Sequence, residues 1–450
     1  MKDFSIIYEL SKFPTYCATR IFYKQILFKH TENFPAEGPV LICSNHVNAF
    51  MDPAIVQCNM RRQIYSLARG DAFNGKFLSW FLSRWKILPI YRLSEGTENL
   101  HKNEETFNRS FEILERKNSL VMYPEGICVQ EKRLRKLKKG AARIALRVEE
   151  KNNFSVGLTI LPLALNYSNA KKYRSKLVVI FGKPFKVSMF KELYEQDKVK
   201  TINELTRYLE NEMAKLMIIV DDKANDELYE QILEVCKDDV IKNNKRNLKN
   251  LYDDYLASKL IAEKLNEFSR NHPEETKKLR LIFHSYFDKL NIYKLRDHLL
   301  RKKVADKKSL YYAVADAFLI VAGFPFFLIG LLFNYIPYKI AHLVAIKFSK
   351  NVEFYASAAI ATGMVMWSVY YFAQLIIIAK LFHNWNYLLI AAVAIPITGI
   401  YCINFYTYIK KTAGKWRWIR LFEKDKKNYN ELLALREEAI NELKQLGIKE

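Results

Sequence analysis

Cysteine is sparse in this chain and nowhere paired in sequence: Cys17, Cys43, Cys58, Cys128, Cys236 and Cys402 form no C-x-x-C unit. That excludes the common zinc-binding spacings and a disulfide framework, so no metal and no resident cofactor are expected, and a reducing compartment fits. A cleavable signal-peptide pattern is also lacking, which places the first half of the chain in the cytoplasm as an expectation. Acidic residues are in short supply, 48 Asp and Glu against 71 Lys and Arg, leaving a formal charge of +23. Such a surplus calls for an anionic partner: nucleic acid, anionic lipid or a phosphorylated substrate. A nucleic-acid binder would interleave its cations with exposed aromatic residues. No such ladder is evident, so nucleic acid is not expected as a partner.

What the chain has instead is length and long apolar runs. Its 450 residues suffice for two or three regions. Residues 4–30 mix apolar and aromatic residues with lysines and Arg20, at intervals too short for a spanning helix. The expectation for 1–37 is an amphipathic helix at a membrane interface, with an ordinary packed helix as the alternative. From 188 to 310 glutamate, lysine and asparagine dominate and leucines recur at helical spacing. A charged helical region without a catalytic constellation is expected there.

The stretch 311–410 holds three uncharged runs: 317–338, then 354–379 and 384–409, the last two of 26 residues each. About 20 apolar residues cross a hydrocarbon core, so both longer runs read as spans. The first is interrupted by Gly323, Pro325, Gly330 and Pro337. Basic residues cluster before it, between 339 and 350, and after 409, whereas the link between the second and third runs has only Lys380. Keeping basic segments cytoplasmic makes 354–379 and 384–409 a hairpin and 317–338 a re-entrant or interfacial segment. Three full crossings are the alternative. Residues 411–450 would follow as a cytoplasmic helical tail.

Between 38 and 187 short apolar runs alternate with longer charged ones. Residues 39–45, 64–69, 86–91, 119–124, 158–165 and 176–182 read as strands. Segments 103–117 and 136–150 have helical spacing, with Phe107, Phe111 and Leu114 forming one stripe. This alternation predicts an α/β domain, a mixed sheet flanked by helices, with its ligands near the carboxyl ends of the strands.

The chemistry-bearing residues follow those strands. His46 lies in a polar turn just past the first, and Asp52 is six residues on. A histidine can accept a hydroxyl proton near neutrality, and a carboxylate on its other ring nitrogen would fix the tautomer. With no protein nucleophile beside them, the activated hydroxyl would belong to the substrate. Asp52 followed by Pro53 also reads as a helix N-cap. Arg92, after Leu88-Pro89-Ile90-Tyr91, could bind phosphate through its planar fork. Glu125-Gly126 follows the fourth strand; the carboxylate could hold a polyol hydroxyl, and the glycine lets the backbone approach a ligand. Six cations between 132 and 139 form either a solvated face or an attractor for phosphate or anionic lipid.

At these residues the sequence resembles the glycerolipid acyltransferase superfamily, over roughly 38–185. The resemblance rests on four blocks in order: Asn45-His46 with Asp52-Pro53, Leu88-Pro89-Ile90-Tyr91-Arg92, Tyr123-Pro124-Glu125-Gly126, and Leu161-Pro162-Leu163. It implies that His46 is the general base and Asp52 its support. Arg92, Glu125 and Gly126 would bind the glycerol phosphate, and Pro162 would lie on the acyl-donor side. The family usually has four residues between histidine and aspartate; the five found here suit a branch with C-terminal membrane segments. Lys86 stands where a glycine is usual, and Cys128 replaces the common serine or threonine; an acyl-cysteine route through it lacks a second histidine to activate the thiol. The resemblance implies a membrane-bound O-acyltransferase that moves a fatty acyl group from acyl-CoA or acyl-carrier protein to glycerol 3-phosphate or lysophosphatidate. Its catalytic domain would lie on the cytoplasmic face, of the inner membrane in a bacterium, with the bilayer, the acceptor and the thioester donor as partners. Acylation of another acceptor, such as an aminoacyl lipid, and a non-catalytic membrane-anchored interaction protein are the alternatives.

Overall fold

The computed structural model describes residues 4–445 and 447, apart from 74, 91–99, 302–306 and 350–351. Two compact units result, one formed by Met1–Ile219 with Lys347–Ile360 and one by Val220–Ile346 with Ala361–Glu450.

The first unit opens with helix α1 (Ile6–Phe22), so residues 4–30 do not form one helix: strand β1 (Gln25–Lys29) follows at once. The chain continues through β2 (Val40–Ser44), α2 (Met51–Asn59), β3 (Ile64–Arg69), α3 (Lys76–Arg84), β4 (Ile87–Ile90), α4 (Leu100–Glu115) and β5 (Ser119–Met122). It closes with α5 (Gly140–Lys151), β6 (Thr159–Tyr167), β7 (Lys176–Phe181), the short β8 (Phe185–Lys186), α6 (Lys191–Gln196) and α7 (Lys198–Ala214). Among the described residues the strands form one eight-stranded sheet in the order β1-β7-β6-β2-β5-β3-β4, with β8 on β6. β2 pairs parallel with both β5 and β6, while β6 and β7 run antiparallel, so the sheet is mixed as expected. Every residue of β2 and β5 is buried, which is why these strands read as unbroken apolar runs. Pro89 sits in β4, an edge strand, where its missing donor costs no ladder bond.

Helix α5 buries Ala141, Ala142, Ile144, Ala145, Leu146 and Val148 against the sheet, joined by Leu114 of α4. The core continues into α6 and α7 through Tyr194, Leu205, Leu209 and Met213. The compact unit therefore runs past residue 187, where composition alone had set the start of the charged helical region. Leu205, Leu209 and Met213 recur every four residues, enough to bury one stripe of an otherwise charged helix.

The second unit holds α8 (Asp226–Asn243), α9 (Leu251–Asn271), α10 (Pro273–Ile292), α11 (Asp297–Leu300), most of α12 (Lys307–Phe348) and α13 (Tyr355–Phe382), α14 (Trp385–Lys424) and α15 (Lys426–Gln445). Residues 317–338 lie within one unbroken helix, α12, despite Pro325 and Pro337. Among the described residues, three helices are long and apolar enough to cross a membrane, and little of their apolar surface is buried within the protein. Their contacts are close and polar. Gly323 and Gly330 of α12 leave no room for a side chain against Tyr401 and Cys402 of α14. Asn334 donates to the carbonyls of Gly330 and Ile395. The C-terminal tail is part of this unit: the Arg436 guanidinium of α15 holds the buried Asp297 carboxylate at 2.7 Å.

Candidate active site

Strand register explains why residues far apart in sequence meet. Cys43 of β2 lies opposite Met122 of β5, so three residues further on His46 and Glu125 leave the same sheet edge side by side. The Glu125 carboxylate accepts the backbone N–H of His46 at 3.2 Å, and the N–H of Val129 donates to the His46 carbonyl at 3.1 Å. On the other flank Asn45 exchanges two hydrogen bonds with the backbone of Leu165, extending the pairing of β2 and β6 past Ser44.

Within this frame His46 Nδ1 lies 2.8 Å from Asp52 Oδ2. Asp52 is fully buried, and its Oδ2 also accepts the N–H groups of Val47 and Asn48, each at 2.8 Å. The carboxylate is therefore not an N-cap. The helix begins at Met51, Asp52 falls in its first turn, and the side chain reaches back to the preceding loop. Because Oδ2 already accepts two backbone N–H groups, Nδ1 is the donor in this pair and Nε2 presents a lone pair. The imidazole is partly exposed, 21%, and stacks on Tyr123 with ring centroids 4.1 Å apart. This arrangement can remove a proton from an approaching hydroxyl and stabilise the imidazolium that forms.

The loop of five residues between histidine and aspartate turns at Ala49, whose φ is +36°. Its N–H donates to Cys128 Sγ at 3.0 Å. Burial and the neighbouring Asp52 carboxylate push the Cys128 thiol up, which favours the neutral sulfur as a loop-closing acceptor over a thiolate. One donor atom each from His46, Asp52 and Cys128 lies within 4.8 Å of the others. These atoms already serve the hydrogen bonds just described, so the cluster needs no ion to explain it.

Glu125 is itself buried, and desolvation raises its carboxyl to about 7 against the pull of the His46 and Arg135 contacts. Gly126 has φ +70°, and a Cβ there would fall 2.8 Å from the Lys138 side chain. The left-handed backbone is what favours glycine there, since the end of the Lys138 side chain could swing aside. Pro162 is buried in β6 opposite Cys43, its carbonyl accepting the N–H of Gly182. It supports the sheet beneath the site and makes no hydrogen bond to the His46–Asp52 pair. Arg92 lies outside the described residues. Lys86 adopts φ +58° and sets its ammonium 4.4 Å from the Tyr65 ring centroid. Two residues had no role assigned from the sequence: Tyr167, whose hydroxyl donates to Asp52 Oδ1 at 2.7 Å, and Tyr123 of the third block, which lies against the imidazole. Tyr167 follows the fourth block by four residues, a spacing with no local signature.

Residues 25–166 match the family model described as Acyltransferase. That match covers most of the α/β domain, which is similar to acyltransferases over these residues. The chain is also similar to two curated proteins of Saccharomyces cerevisiae. Glycerol-3-phosphate O-acyltransferase 1 is 30% identical over 212 residues, 45% of this chain and 26% of the relative. Glycerol-3-phosphate O-acyltransferase 2 is 28% identical over 136 residues, 29% of this chain and 18% of the relative. The chain thus spans about a quarter of the length of the first relative and less of the second. Among solved structures, the 1-acyl-sn-glycerophosphate (LPA) acyltransferase from Thermotoga maritima aligns at TM-score 0.34 and 16% identity, covering 46% of this chain and 79% of that one.

Proposed function

We propose that this protein transfers a fatty acyl group from a thioester, acyl-CoA or acyl-carrier protein, to a hydroxyl of glycerol 3-phosphate at a bilayer surface. The observation that carries the reading is the buried Asp52 carboxylate on His46 Nδ1, which leaves Nε2 free to act. Nε2 takes the acceptor's hydroxyl proton while the oxygen attacks the thioester carbonyl. The tetrahedral oxyanion then collapses, the carbon–sulfur bond breaks, and the thiolate recovers the proton from His46. Glu125 and Gly126, adjoining His46, hold the glycerol phosphate; Arg92 is its phosphate partner and Pro162 flanks the acyl donor. The names of the two yeast relatives favour glycerol 3-phosphate over lysophosphatidate. The spacing of five residues between His46 and Asp52 supports a branch with C-terminal membrane segments. The apolar helices α12 to α14 keep the enzyme in the membrane, with the catalytic domain on the cytoplasmic face.

A membrane-fraction assay offering each acceptor with each donor tests this. Acyl transfer to glycerol 3-phosphate is expected, and His46→Ala should lower it by about 10²–10⁴-fold while the protein stays membrane-bound. Near-normal turnover in His46→Ala would remove the imidazole from the reaction. Absence of transfer to either acceptor would reject the reading itself.

A further inference from the structure

We propose that Tyr167 is a positioning residue for the base, anchoring Asp52 from strand β6 so that His46, Asp52 and Tyr167 act as one hydrogen-bonded unit. The inference rests on the acyl-transfer reading above and adds a residue outside the four sequence blocks. Tyr167 is buried, and its hydroxyl donates to Asp52 Oδ1 at 2.7 Å. The opposite oxygen, Oδ2, is already committed to His46 and two backbone N–H groups. Tyr167 therefore holds the side of the carboxylate that the histidine loop does not reach.

The phenol has its own support. Tyr23, fully buried between α1 and β1, sits with its ring centroid 5.6 Å from that of Tyr167 and in hydrogen-bond contact with it. Asn48 Nδ2 donates to the Tyr23 hydroxyl at 2.8 Å, which returns the chain of contacts to the histidine loop. The Asn45 clamp on Leu165 sets the height of Tyr167, two residues further along the same face of β6. A hydrogen bond to a buried carboxylate carries more than one at the surface. The titratable groups facing Asp52 are His46, Tyr123, Glu125, Cys128, Tyr167 and Tyr23. Among these, Tyr167 alone gives its hydroxyl to Oδ1 among the described contacts.

Removing the hydroxyl leaves more of the carboxylate's charge on the imidazolium and loosens the orientation of the ring. Tyr167→Phe in the full-length membrane protein is therefore expected to lower kcat about tenfold, with KM for both substrates within about twofold of wild type. It should also move the pH midpoint for carbethoxylation of His46 by diethyl pyrocarbonate, read by mass spectrometry, to higher pH. A kcat within about twofold of wild type, or an unmoved midpoint, overturns the proposal. Where Tyr167→Phe does not assemble, Tyr23→Phe, which removes only the outer hydroxyl, must move the same midpoint in the same direction; no movement overturns it equally. The labelling needs no turnover, so a wild-type protein that transfers no acyl group would reject the function while the midpoint still decides the role of Tyr167.

Discussion

At the scale of single residues the site is a contest between burial and hydrogen bonding. Asp52 is buried yet receives four donors, so the cost of removing its charge from water is offset. Glu125 receives less and its carboxyl rises to about 7. The sign follows directly: between its ordinary value of 4.5 and about 7 the folded protein keeps a proton that the unfolded chain has released, so stability falls as pH rises through that window. The loss amounts to about 3 kcal/mol. Glu125→Gln keeps an acceptor for the His46 N–H and cannot ionise. Its Tm should therefore gain on that of wild type as pH rises across the window, by thermal unfolding in detergent. Parallel Tm curves for the two proteins would remove this assignment. The candidate site residues were legible in sequence because histidine, aspartate and glutamate stand out beside apolar runs. Tyr167 was not, because a tyrosine at the end of a buried strand looks like core.

Among the elements, α1 is divided between two environments. Tyr8, Thr15, Thr19 and Phe22 are buried, and the Tyr8 hydroxyl accepts the N–H of Ile64 at 3.1 Å, which ties the helix to the α/β domain. Ile6, Leu10 and Phe13 are exposed, the last by 74%, at helical spacing on another face. One face thus packs on the domain, and we propose that the exposed apolar face meets the bilayer interface. With Trp80 and the other native tryptophans replaced by phenylalanine, Phe13→Trp should fluoresce in the blue and be quenched by brominated lipid. Emission typical of water, without quenching, would take α1 off the bilayer surface. Strand β1 escaped the sequence reading because QILFK has lysine at its end and continues an apolar helix without a glycine or proline to mark the change. Its identity as a strand comes from pairing with β7, Gln25 opposite Lys176 through Lys29 opposite Ile180.

For the whole molecule the deciding quantities are helix length and charge placement. At 1.5 Å per residue α12 extends about 63 Å, well beyond a hydrocarbon core of about 30 Å. Basic residues after 409 and the nearly uncharged turn at His383–Asn384 support a hairpin of α13 and α14, with that turn across the membrane from the basic flank. In sealed vesicles, with accessible native cysteines replaced, Asn384→Cys and Lys411→Cys should react with an impermeant maleimide from opposite sides. Reaction of both from one side would dismiss the hairpin.

The linear sequence by itself determined what depends on neighbouring residues: six of the eight strands, the apolar helices, and the blocks holding His46, Asp52, Glu125 and Gly126. Apolar runs and helical periods report burial directly, and each block adjoins the strand that positions it. The tertiary structure alone decided strand order, the β1 edge, the inclusion of α6 and α7 in the α/β core, and the bond from Tyr167 to Asp52 across 115 positions. Those contacts join distant parts of the chain through sheet register, which no local pattern of residues encodes.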